Sequence, residues 1–372
     1  MTRRELIFLG SAILLAAPAV YLLRRPAVPP ESFLTLTSAS YRLDKLYRSM
    51  EGPSSVQSDI PITDPAKLPA PDSKLRVPTV WITGLETEIV DAIEQKPISQ
   101  EFFCHSNLTF SEHGATPEEF NARFGGKTHL DWRLFSLVPG RSSIELPKGF
   151  GIPVPADAAL DYLTMSLNLN PRRDPVNVRM STRLHTIAAN EPGAPTKALF
   201  RRAVYVLQRE GNDSTGMGPH CMAKPQVDHV GAGCGEWTRV SMPNGSTMLM
   251  PVEGMTNHWT VPPGHHVYQS EITPQLNLPF DTTIHYATIH VHPFARVMEL
   301  RDLTTDKVVL KLNSRDWTDR IGVAQVDEFK SIDGVPISRG HRYQLTVDYE
   351  NTSGSNTDAM AILYLYLLEK DV

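Results

Sequence analysis

Little in this chain points to nucleic acid. The net charge is −5 and no block of lysine and arginine occurs, so the electrostatic footprint of a nucleic-acid partner is missing. No phosphate-cradling glycine loop, no G-x-S-x-G elbow and no H-E-x-x-H helix is present. Nucleotide chemistry, serine hydrolysis and the commonest zinc-protease arrangement therefore have no motif to rest on. Cysteine is scarce, with only Cys104, Cys221 and Cys234, which excludes a disulfide-dense scaffold. Repeats of 20–50 residues are absent, and so is most helical patterning. One helical turn is legible at "TPEEFNARF", where Thr116 can act as N-cap and Glu119 completes a capping box.

What is abundant is proline (30), glycine (23) and short runs rich in Val, Thr and Leu. Runs such as "TVWITGL", "QEFFCHSNLTF", "YLTMSLNLN", "VNVRMSTRLHTI", "RYQLTVDYEN" and "AMAILYLYLLE" read as strands separated by turn clusters. A length of 372 residues suits two domains rather than one. The expected fold is all-β: two packed antiparallel, jelly-roll-like β-sandwich domains, 76–190 and 191–372. Residues 209–258 are rich in Gly, Met and Pro and read as an irregular insertion in the second domain. They hold several candidate ligands, His220, Cys221, His229, Cys234 and His258. The stretch is a lid, a third metal position or a disulfide-pinned loop.

The N-terminus "MTRRELIFLGSAILLAAPAVYLLRRP" sets Arg3 and Arg4 before an apolar run from Leu6 to Leu23, closed by Arg24 and Arg25. That length can just span a bilayer, and "TRRELIF" is similar to a twin-arginine export signal. Residues 1–25 are thus expected to be an uncleaved membrane anchor, with a cleaved signal as the alternative. In both cases the remainder faces the periplasm or the extracellular side. Residues 26–75, rich in Pro, Ser and Asp, read as a tether. Cys221 and Cys234 enclose a short loop and are expected to form a disulfide in an oxidising compartment, leaving Cys104 over.

Within "TIHYATIHVHPFARVMEL", read as one strand over 283–300, His290 and His292 are two residues apart and share a face. Two imidazoles so placed suit neighbouring positions on one metal ion, although H-x-H alone is more often a solvated sheet face. Near the C-terminus "SNTDAMAILYLYLLE" alternates so that Met360, Ile362 and Tyr364 share a face. A thioether beside two imidazoles is a donor set suited to copper, whereas most methionines are core filler.

Taken together, "VPPGHHVYQSEI", "IHVHPF" and "SNTDAMAILYLY" resemble the copper type II ascorbate-dependent monooxygenases, the peptidylglycine α-hydroxylating and dopamine β-hydroxylating enzymes. The resemblance implies an oxygen-binding copper held by His290, His292 and Met360, with Tyr364 on the same strand where peptide hydroxylases carry a tyrosine of catalytic importance. It implies a second copper whose histidine pair falls on Cys104 and His105, and whose third histidine falls on Asn168. That site is altered at two of three positions. Thr288 stands where the peptide hydroxylases carry an arginine for the substrate carboxylate, so a peptide acid is not implied.

Three functional readings follow: a copper-dependent oxidoreductase using O2 and a reductant such as ascorbate on a small-molecule substrate, a non-catalytic copper chaperone or sensor, and a structural β-sandwich without metal.

Overall fold

Alternation of side chains dictates most of the strands. In Val176–Ala188 the residues Val178, Met180, Thr182 and Leu184 are buried, while Asn177 and Arg183 face solvent. The computed structural model describes residues 32–43, 55–209, 238–241, 247–250, 255–370 and 372. Their architecture is that of an all-β sandwich protein. The short helix Pro117–Arg123 has the Thr116–Glu119 capping box that the sequence calls for.

Two sheet pairs enclose two apolar cores. The first pairs a sheet containing Ser32–Thr37, Val176–Ala188, Thr79–Asp91 and Phe150–Pro155 with the sheet Ser55–Pro61, Ala159–Ser166, Phe103–Phe110 and Arg133–Leu137. Leu85, Leu184, Phe110 and Phe135 fill the space between them. The second pairs the strands Lys197–Tyr205, Ala361–Leu368, Thr282–Val291 and Glu328–Ile337 with a five-stranded sheet that includes Tyr343–Asn351 and Ala295–Asp302. Phe200, Ile289, Met298 and Leu345 belong to its core.

The halves are joined edge to edge. Lys197 and Ala198 pair in parallel with Phe150 and Gly151, making one continuous sheet across the molecule. A second junction lies at the Val138–Arg141 turn. There the Val326 amide donates to the Gly140 carbonyl at 3.1 Å, and Arg141 Nη2 donates to the Val326 carbonyl at 2.8 Å. Gly140 has φ +77°, and a Cβ added to it would meet the Gln325 backbone at 2.8 Å. Both the conformation and the close approach require glycine. Gly140→Ala is expected to destabilise the protein by about 1–3 kcal/mol in urea unfolding. An unchanged midpoint would mean that the two halves do not dock at this turn.

Several expectations need correction. Residues 26–75 are not a structureless tether throughout, because 32–37, 41–43 and 55–61 add strands to both sheets of the first pair. Tyr41 and Leu43 are buried in its core, so sparse apolar residues dock on an existing sheet without a periodic signal of their own. The stretch 283–300 is two strands, Thr282–Val291 and Ala295–Asp302, with Phe294 at φ +76° in the turn between them. The region 209–258 contributes the hairpin Thr238–Ser241 with Thr247–Met250. The expected Cys221–Cys234 disulfide and the apolar segment 1–25 lie outside the described residues. Among the described residues no helix is long and apolar enough to cross a membrane.

Candidate metal centre

One change of strand partner creates the site. From Leu367 back to Ala361 the C-terminal strand pairs with Thr282–Val291, placing Ile362 opposite His290 and Ala361 opposite Val291. At Met360 the ladder breaks. The preceding residues Thr357–Ala359 pair instead with Trp259–Val261, so that Ala359 lies opposite Trp259 and Asp358 opposite Thr260. The crossover gathers three points: His258 just before one strand, His292 just after another, and Asp358 on the strand that changes partner. The Tyr349 hydroxyl donates to the Met360 carbonyl at 2.8 Å and holds the junction. His258 is fixed from its backbone, where its amide donates to Thr256 Oγ1 at 3.0 Å and its carbonyl accepts from the same hydroxyl at 2.7 Å.

Asp358 sits between the two imidazoles. Its Oδ2 is 2.8 Å from His292 Nδ1, and its Oδ1 is 3.6 Å from His258 Nδ1. Burial opposes ionisation of this carboxyl, but the two histidines outweigh it and hold its pKa well below the ordinary carboxylate range. One ligand atom from each of His258, His292 and Asp358 lies within 4.8 Å of the others. The His290 ring is buried and its centre is 5.5 Å from that of His292. Asp358 appears in the sequence only as an acidic residue two positions before Met360, and His258 only as one of five candidate ligands in the insertion. Strand crossover is what selects them.

The cluster opens onto a cleft of about 320 Å³ between the two halves. His290, His292 and Asp358 form one wall, and Phe103, Cys104, Leu167 and Leu169 of the first half form the other. Glu101, whose side chain is buried, receives Arg172 from its own half and Arg320 (3.0 Å) from the other. Asn170 and Ile321 exchange two hydrogen bonds of 2.9 Å beside it. These contacts pin the turn carrying Trp317 and Ile321 over the cleft.

The remaining sequence candidates are distributed as follows. Cys104 is an unbridged thiol at a bulge, where the ladder steps from Phe103 opposite Ser166 to His105 opposite Met165. Its sulfur lies 3.4 Å from His105 Nδ1, and it packs on Met165 and Leu167 while still lining the cleft. Asn168 is buried, and its Oδ1 accepts from the Asn170 amide at 3.2 Å, a local turn contact. Met360 is fully buried in the second core. Tyr364 pairs with Thr288 and Ala203, stacks under the Arg201 guanidinium at 4.5 Å, and has a hydroxyl pKa pushed up by burial to about 12. It is not among the residues lining the cleft. Thr288 is buried, its hydroxyl donating to the Asp327 carbonyl at 3.1 Å.

No protein-family model matches the sequence, and no curated protein matches it. Among solved structures, an empty cowpea mosaic virus particle is similar with TM-score 0.34 and 10% identity over 92% of this chain and 90% of that one. N-glycanase F (PNGase F) is similar with TM-score 0.33 and 9% identity, over 91% of this chain and 96% of the other.

Proposed function

We propose that the protein is an exported, membrane-anchored copper-dependent oxidoreductase of monooxygenase type, built as two jelly-roll-like sandwiches with the reaction in the cleft between them. The observation that carries this reading is the convergence of His258, His292 and Asp358 beside His290 at a mainly apolar cleft. Two imidazoles and a carboxylate, with a further imidazole adjacent, are a donor set that suits copper or iron. The set is nearly in place: two ligands at about 2.1 Å can span at most about 4.2 Å across one ion, against the 4.8 Å that bounds the group here. Copper, when bound, would supply one-electron chemistry with O2.

The chain's own residues have definable tasks. Asp358 stays ionised and either ligates or fixes the His292 imidazole through Nδ1, leaving Nε2 for the ion. His290 contributes a further imidazole from the same wall. The apolar residues opposite exclude water, which strengthens electrostatic interactions within the cleft. Cys104 and His105 are the remnant of a relay, with a second ion there the weaker part of the proposal. The resemblance assigns Met360 to the ligand set and Tyr364 to catalysis, and the grouping of His258 with His292 and Asp358 favours His258 and Asp358 over them.

A non-catalytic copper-binding role is the second reading, favoured by Asn168 being engaged in its own turn rather than offered to a metal. The test is oxygen uptake by the copper-loaded full chain with ascorbate as reductant, beside His292→Ala. Uptake that requires His292 supports the oxidoreductase. Stoichiometric copper binding without uptake supports the binding protein, and failure to bind copper refutes both.

A further inference from the structure

The cleft's lining restricts what can enter it. Beyond the histidine wall the surface is Phe103, Leu167, Leu169, Phe294, Trp317 and Ile321. No lysine or arginine is among the lining residues described. The two carboxylates that reach it are already engaged, Asp358 with His292 and His258, and Glu101 with Arg172 and Arg320. An anion would find no counter-charge from a side chain, and a cation would have to displace an existing ion-pair partner. Uncharged polar side chains line it at Ser353, Ser355, Asn356 and Thr357 on the turn leading to Asp358, and at Gln100 from the first half. The volume, about 320 Å³, is at the lower end of the roughly 300–1,000 Å³ of small-molecule sites.

We propose that this cleft takes an uncharged, mainly apolar small molecule carrying a hydrogen-bonding group, its apolar body lying against Leu167, Leu169 and Ile321 and its polar group at Ser353–Asn356. The inference rests on reading the cleft as the substrate site and deepens it by naming the substrate class. It is stated for the metal-free chain, because an ion beside Asp358 would itself attract a carboxylate or an amine. The rim opposite the histidines comes from Trp317 and Ile321, so the pinned turn sets both the length and the apolar character of the ligand. Selectivity arises because a charged analogue must shed its hydration without a compensating partner.

Three probes of one shape test this: 4-phenylbutan-1-ol, 4-phenylbutyrate and 4-phenylbutylamine, titrated into the full chain and followed by tryptophan fluorescence and by ligand-observed NMR. The same titrations are made on Leu169→Asp and Ile321→Asp. Both positions are partly solvent-facing, so either variant can be checked for folding by its thermal transition. Subtracting the Leu169→Asp signal removes partitioning into the apolar N-terminal segment or its detergent. The alcohol is expected to saturate at least tenfold more tightly than either charged probe, and each folded variant is expected to weaken it at least tenfold. Tightest binding of the carboxylate or the amine, or equal binding of all three, overturns the proposal. So does alcohol binding that both variants leave unchanged, or no saturable binding to the folded wild-type chain. These titrations are read on the chelated chain, and metal binding is measured separately. A chain that binds no metal yet keeps selective alcohol binding would sink the metal reading and leave this inference standing, whereas metal binding without alcohol selectivity would do the reverse.

Discussion

Asp358→Ala should lower metal affinity by about 100-fold or more, so that the full chain, loaded and desalted, retains only background metal where the wild type retains one ion. Asp358 touches both histidines, and losing a ligand or its orienting partner typically costs 10–100-fold even when the other donors remain. Here both histidines lose their partner in a single change. Removing one member of a buried ionic cluster is also expected to cost about 3–5 kcal/mol of stability, because the imidazoles stay buried without their carboxylate. Asp358→Asn separates the effects, since it keeps the shape and a hydrogen-bond acceptor but not the charge. His258→Ala should mimic the metal loss. Elemental analysis of the desalted proteins and urea unfolding read the two quantities. Wild-type metal content in a folded Asp358→Ala chain would eliminate this cluster as the metal site.

Met360 is the second position with a large expected effect, and it separates core packing from ligation. The side chain is fully buried in the second core at the point where the C-terminal strand changes partner. Met360→Ala is therefore expected to cost about 2–5 kcal/mol, from lost transfer energy and the cavity left behind. Met360→Leu conserves volume and should stay within about 1.5 kcal/mol of wild type. If the thioether also faces the ion, the leucine variant loses Cu(I) at least tenfold while keeping Zn(II), since sulfur favours the softer ion. Equal retention of Cu(I) by Met360→Leu and wild type would remove Met360 from the ligand set and leave it as core alone.

The strands were legible because they depend on local alternation. Val176–Ala188 shows its period in its own letters, whereas His290 and His292 line one cleft together with Val291 between them, because the strand ends at Val291. Asp358 and His258 were not legible as a pair. What joins them is the switch of Thr357–Ala359 from one neighbouring strand to another, a tertiary event with no local signature. The turn at His292–Phe294 was missed for a different reason. Phe294 adopts a positive φ without a glycine to announce it, and apolar letters on both sides run together as one strand. Strands at 32–43 and 55–61 escaped notice because they are short and take their order from the sheets they join.

The residues of the candidate metal cluster are far apart in the chain, with His258 and Asp358 a hundred positions apart and His292 between them. Closing so long a loop is entropically costly, so an unfolded chain has little chance of presenting all three donors together. Capture of an ion must therefore follow the pairing of the last strands rather than template it, unlike a zinc finger whose ligands lie close in sequence. An ion held at this point is a late acquisition, added where and when the C-terminal sandwich is finished. Metal content would then report the fraction of chains that have completed assembly, and a kinetic delay between burial of the second core and metal uptake is its natural signature.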